Sequence, residues 1–252
     1  MEIRTEYVNL SVSDGTPMRA YVARPAGASS AAGLFIFQEA FGVNPHIRDV
    51  TERFAREGYL AIAPELFHRT GAGFEGRYDD FATVMPHMRA LTGEGMEADF
   101  RAAYDWLRAN DKTGNAAIAA IGYCMGGRAA FRAATTLPLQ CAVSFYGGGI
   151  APNQFFPDGL LGRAKDVHGP LLLVWGGRDK HIGPEQVRAV TDALRAEGKD
   201  FINVEFSEAD HGFFCDERPS YHAASAALAW PLTLAFLKAH TSARPQEAAA
   251  RS

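Results

Sequence analysis

The sequence predicts an α/β fold: a mostly parallel central sheet with helices on both faces. Three observations carry that expectation. Short apolar runs of strand length alternate along the chain with stretches of helical period. The run 33–38 is apolar up to its final Gln38 rather than at every second residue, as in a strand covered on both faces. The chain has 252 residues, 47% of them hydrophobic, enough for one sizeable core and too many for a disordered polymer.

The chain opens with two alternating stretches, 5–12 and 18–24, joined by Ser13-Asp14-Gly15-Thr16-Pro17. Asp-Gly between such runs signals a hairpin. After the buried strand 33–38, Asn44 can cap a helix and Pro45 suits its first turn. Ile47, Val50 and Phe54 then recur at helical spacing until Gly58 stops it. Further strands are expected at 59–63, 116–122, 140–146, 170–175 and 202–206. Helices are expected at 96–109, 125–135, 184–197 and 221–240, the last kinked by Pro231. The tail 241–252 is small and polar, and it is expected to fray.

Segment 64–95 fits this rhythm least. Its Gly71-Ala72-Gly73-Phe74-Glu75-Gly76 has the spacing of a dinucleotide-binding turn, but that mechanism needs glycines that turn a strand directly into a helix. Here they come seven residues after the expected strand end, so a flexible loop is the better reading.

Charge and cysteine usage exclude several classes. Lysine and arginine total 25 against 29 acids, a formal charge of −4 with no basic cluster, which argues against nucleic acid or an anionic membrane as partner. The longest apolar runs, 31–38 and 170–175, fall far short of the ~20 residues that cross a bilayer. Residues 1–6, Met-Glu-Ile-Arg-Thr-Glu, lack the pattern of a secretory signal. Three scattered cysteines, Cys124, Cys141 and Cys215, suit neither a disulfide framework nor a zinc motif, so a reducing, cytoplasmic setting is expected, with no metal or cofactor.

Chemistry concentrates at Gly122-Tyr123-Cys124-Met125-Gly126-Gly127, between an expected strand and an expected helix. In a nucleophile elbow the central residue adopts a strained backbone, and only small neighbours leave room for the reversal. Its side chain then stands at a helix N-terminus, where backbone N–H groups favour a negative sulfur. A buried structural cysteine is the competing reading. A nucleophile needs a base, and the base an orienting acid. Asp179 follows the strand 170–175 and His211 follows the strand 202–206, both at carboxyl ends, where open α/β sheets bind ligands. Among the other histidines after a suitable acid, His181 is too near Asp179 in sequence, and His222 and His240 fall on the last expected helix. Asp210 is the competing acid, or merely a turn cap.

With these residues in this order, and with Gln38-Glu39-Ala40-Phe41-Gly42 after the third strand, the chain resembles the dienelactone hydrolase family over about residues 5–240. The resemblance implies an α/β-hydrolase fold without a large cap, one domain spanning 1–240, and a cytoplasmic monomer or weak dimer. It implies cysteine-dependent hydrolysis of activated esters or lactones through an acyl-thioester, with Cys124, Asp179 and His211 as the working residues. It places Glu39 near the resting thiol, to be moved by substrate so that Cys124 ionises. A buried carboxylate with no cation partner accepts a proton readily. Oxyanion donors would be the backbone N–H groups of Ala40 and Met125.

Two arginines hold a substrate carboxylate in the family. Within 64–78, Arg77 is the nearest candidate for the first and Arg69 the second choice. At the second position, four residues after His211, this chain has Cys215, and Arg218 is the substitute. Tyr123 and Phe213, with Phe74, Tyr78 and Phe81, are expected to line an apolar pocket. Two other readings compete: a non-catalytic small-molecule-binding protein on the same fold, and a redox-sensing thiol.

Overall fold

A computed structural model describes residues 1–27, 31–110 and 117–242 of the chain. Strands β1 (Ile3–Ser11) and β2 (Pro17–Pro25) form the expected hairpin, antiparallel from Ile3↔Pro25 to Ser11↔Pro17. Asp14 fastens its turn by accepting from the Thr16 amide at 2.9 Å, and Gly15 takes the positive φ of 85° the bend requires.

Strand β3 (Gly33–Phe37) leads into helix α1 (Pro45–Arg56). Asn44 caps that helix as expected, its side chain accepting from the Ile47 amide at 3.1 Å, an interaction worth about 1 kcal/mol. Arg53 and Arg56 in the last turn complement the helix dipole. Strand β4 (Leu60–Pro64) follows, then α2 (His68–Gly71), α3 (Phe81–Ala90) and α4 (Gly93–Asn110). Beyond them come β5 (Ile118–Tyr123), α5 (Met125–Ala134) and β6 (Ala142–Phe145). The chain continues through a 3-10 turn at Leu161–Asp166, β7 (Leu171–Gly176), α6 (Pro184–Ala196), β8 (Phe201–Phe206) and α7 (Ala223–Thr241).

The eight strands form one sheet in the order β1-β2-β4-β3-β5-β6-β7-β8. β2 runs antiparallel to both neighbours and β3 to β8 are mutually parallel. Every residue of β3 to β7 is buried, so helices cover both faces, as expected of an α/β-hydrolase sheet. Edge strand β8 has no fully buried residue. No large cap interrupts the sheet among the described residues. Strand order reverses between β3 and β5, and such a switch point opens a crevice at the carboxyl ends of the two strands.

Two expectations change. Segment 64–95 holds α2 and α3, which sequence pattern missed because Pro86 interrupts α3 and only Val84 of that helix is buried. The glycine run 71–76 makes no strand-to-helix turn but packs closely on the loop after β3. A Cβ on Gly42 would lie 1.9 Å from the Phe74 carbonyl oxygen, and the Gly76 amide donates to Phe41 at 3.0 Å. Helix α7 continues through Pro231 as one element. The first residue of the expected strand 116–122 lies outside the described residues, as does the tail from 243. Among the described residues no helix is long and apolar enough to cross a membrane.

Candidate active site

Cys124 stands between β5 and α5 with φ 56° and ψ −118°, a left-handed conformation that costs a non-glycine residue ~1–3 kcal/mol. The glycines beside it show why the bend is possible. A Cβ on Gly122 would lie 1.8 Å from the Gly126 carbonyl oxygen, and one on Gly126 would lie 2.2 Å from that of Phe37. The first turn of α5 is thereby pressed against the end of β3. Met125 follows Cys124 as the first residue of α5, Ala40 lies three residues past the end of β3, and both are buried. The Cys124 amide donates to Phe145 at 3.0 Å, which fixes the bend to β6.

Asp179 and His211 reach that sulfur from the loops after β7 and β8, at the same carboxyl edge of the sheet. His211 Nε2 lies 3.1 Å from Cys124 Sγ, and its Nδ1 lies 2.7 Å from Asp179 Oδ2. With Nδ1–H donated to the carboxylate, Nε2 is left to face the thiol. The other Asp179 oxygen accepts from the amides of His181 at 2.7 Å and Ile182 at 3.1 Å, so the acid cannot rotate freely. Burial disfavours a charged His211 ring. The Cys124 charge and the hydrogen bonds to Asp179 and Cys124 outweigh it, and the imidazole is pushed up to about 10. Asp210 only caps a turn, accepting from the His211 amide at 2.6 Å. His222 caps α7 by accepting from the Ser225 amide at 3.3 Å, and the His240 ring packs on Phe236.

Glu39 corrects one expectation. Its side chain is fully buried but has a cation partner: Arg218 donates to its Oε1 at 2.9 Å. Burial opposes the Arg218 charge, while the charges of Glu39 and Cys124 raise the guanidinium above its ordinary range. Arg218 also lies over the rings of Phe41 and Tyr78, 5.7 and 5.8 Å from their centroids. The thiol that the resemblance paired with Glu39 is hydrogen-bonded to His211 instead.

Four expected substrate contacts are not brought to the site. Arg77 is 78% exposed and forks onto Asp79, two residues away. Arg69 is committed to Asp14 and to the buried Asp99, with which it makes two hydrogen bonds. Tyr123 and Phe213 are wholly buried in the aromatic core, where Tyr123 stacks on Phe214 and Phe213 packs on Phe145 and Phe206. Cys215, in place of the family's second arginine, donates from Sγ to the Tyr78 oxygen at 3.2 Å; burial, aided by the Glu39 charge, pushes its thiol up to about 12.

Tyr146 escaped the sequence reading. It follows β6 directly with φ 37°, and its ring centroid lies 5.1 Å from that of His211. A position just past a strand's carboxyl end was the available signal, and no motif marked it. His181, set aside as an acid's partner, packs its ring edge-on against His211 at 5.3 Å.

Residues 18–241 match the dienelactone hydrolase family. A protein of Escherichia coli (strain K12) named "Putative carboxymethylenebutenolidase" is 37% identical over 235 residues, covering 90% of this chain and 84% of its own. One of the same name from Synechocystis sp. is 32% identical over 248 residues, covering 91% and 94%. Among solved structures, a "Putative Dienelactone Hydrolase" from Klebsiella pneumoniae subsp. pneumoniae superposes with a TM-score of 0.84 at 33% identity, covering 93% of this chain and 98% of the other. The chain belongs to the dienelactone hydrolase family and is a carboxylic ester hydrolase on the α/β-hydrolase fold.

Proposed function

We propose that Cys124 is the nucleophile of this hydrolase, His211 its base and Asp179 the acid that orients the ring. The observation that carries this reading is the continuous chain of contacts, 2.7 Å from Asp179 to His211 and 3.1 Å from His211 to the sulfur. The sulfur attacks an ester carbonyl while His211 holds the thiol proton. Charge then develops on the carbonyl oxygen, facing the backbone N–H groups of Met125 and Ala40. Collapse of the adduct expels the alcohol oxygen, which takes the proton from His211 and leaves an acyl-thioester on Cys124. Water, deprotonated by His211, hydrolyses the thioester and restores the thiol.

Sulfur as nucleophile selects the substrate. A thiolate leaves more readily than an ordinary alkoxide, so adducts of simple alkyl esters revert. An enol lactone expels a stabilised enolate and proceeds, so unsaturated lactones, enol esters and thioesters are the substrates of choice. Arg218 is the anchor for a substrate carboxylate. An anion that drew its guanidinium away would release Glu39, which then becomes free to accept a proton near the sulfur. Cys124, Cys141 and Cys215 are all free thiols, which supports a reducing, cytoplasmic setting, and one chain supplies the whole constellation, so a monomer or weak dimer suffices.

The test is hydrolysis of dienelactones, thioesters, p-nitrophenyl acetate and simple alkyl esters, before and after alkylation with iodoacetamide. The expected result is selective labelling of Cys124, loss of turnover, and rates that follow leaving-group quality. Full activity in Cys124→Ala ends the proposal.

A further inference from the structure

One cluster of polar side chains beside the crevice is left unsatisfied by the contacts described so far. Glu39, His46 and Cys215 are each at least 98% buried. One donor atom from each falls within 4.8 Å of the others. Two polar atoms of the group lack any hydrogen-bond partner among the described residues: Glu39 Oε2 and His46 Nε2. An unpaired buried polar atom costs ~1–3 kcal/mol, so two in one spot indicate that something else belongs between them.

The geometry points to a site for a borderline divalent cation of the zinc type, held by Glu39, His46 and Cys215. Sulfur, imidazole nitrogen and carboxylate oxygen are the ligand set that zinc takes, and calcium or magnesium would not select the sulfur. Donors around tetrahedral zinc stand ~3.3–3.8 Å apart, given bonds of about 2.0–2.3 Å. Loading would therefore close the widest separation here by about 1 Å, within the reach of side-chain rotation. His46 Nδ1 lies 3.5 Å from Asp216 Oδ1, a distance that a small closure would turn into the carboxylate–histidine hydrogen bond that aims the other ring nitrogen at a metal. Arg218 occupies only Oε1 of Glu39 and leaves Oε2 available.

Charge balances as well. Binding releases the Cys215 proton to solvent, and the three anions Glu39, Cys215 and Asp216 then offset the dication and Arg218. Tyr78 can reverse its hydrogen bond and donate to the thiolate it now accepts from. The site shares Glu39 with the proposed reaction, but metal uptake does not depend on that reading.

Cys124 with His211 could also take zinc, so the experiment uses the full-length Cys124→Ser protein. Titration with Co²⁺ should load one ion per chain and develop a thiolate-to-cobalt charge-transfer band. Adding Cys215→Ser should remove the band. Asp216→Asn, a change at an exposed residue, should weaken binding about tenfold through the orientation of His46. X-ray absorption of the zinc-loaded Cys124→Ser protein should show one sulfur among nitrogen and oxygen neighbours. Absence of uptake would leave a bridging water as the occupant and overturn the proposal. So would a band that survives Cys215→Ser, unchanged affinity in Asp216→Asn, or a sulfur-free metal shell, the last needing no Cys215 variant to fold.

Discussion

Arg218 and Glu39, 179 residues apart in sequence, meet at 2.9 Å in an ion pair whose carboxylate is fully buried and whose guanidinium is 17% exposed. Removing only the cation strands a buried charge, which typically costs ~3–5 kcal/mol. Arg218→Met should therefore destabilise the protein by about 3 kcal/mol in urea unfolding. The double change Arg218→Met with Glu39→Gln should recover more than half of that loss, because the stranded charge is gone. A single variant as stable as the parent would show that the pair does not hold the loop.

Arg218 and Arg77 separate in kinetics. Arg218→Met should raise KM for a carboxylate-bearing lactone about tenfold or more, and leave KM for neutral p-nitrophenyl acetate within about twofold. Arg77→Ala should change neither, since that side chain is exposed and paired with its neighbour Asp79. An effect of Arg77→Ala confined to the anionic substrate would return the anchor to the position the family pattern suggests.

The raised His211 ring makes a signed prediction. A histidine lifted from 6.5 to about 10 contributes stability that is full below about 6.5 and is lost as pH rises through about 10. The foremost of the contributions that lift it is the Cys124 charge, ahead of the Asp179 hydrogen bond. In Cys124→Ala the imidazole should thus titrate at lower pH by NMR, and the fall in stability with pH should begin earlier. An unchanged midpoint would mean that Asp179, rather than the sulfur, holds the proton on the ring.

What could be read from the sequence was local or imposed by the pattern of the sheet. Asn44 and Pro45 start α1 through contacts within one turn, and Asp14 with Gly15 closes a hairpin of five residues, so neither needs the rest of the fold. The meeting of Cys124, Asp179 and His211 was legible because each lies within five residues after a strand, and parallel strands deliver their carboxyl ends to one edge. Tyr123 and Phe213 adjoin these residues in sequence, but their rings point into the core, and adjacency carries no information about which way a ring points. The Glu39–Arg218 pair was hidden for another reason. The pattern fixed an arginine four residues after His211, whereas the turns from Gly212 to Arg218 bring in one that stands seven residues after it.

Gly126 offers the most direct test of how the fold makes the site. Its absent Cβ would sit 2.2 Å from the Phe37 carbonyl oxygen and 2.5 Å from that of Gln38, both backbone atoms that cannot swing aside. Gly126→Ala must therefore push α5 away from the end of β3, and overpacking of this kind costs ~1–3 kcal/mol. The same shift should separate the Met125 amide from that of Ala40, the two donors proposed to converge on one oxygen. Losing one such donor typically lowers kcat by ~10²–10³-fold. The expected variant is folded by circular dichroism, still alkylated at Cys124, and slowed at least a hundredfold in kcat. Parent-like kcat alongside the loss of stability would mean that the contact between β3 and α5 serves packing alone, and that the oxyanion is held elsewhere.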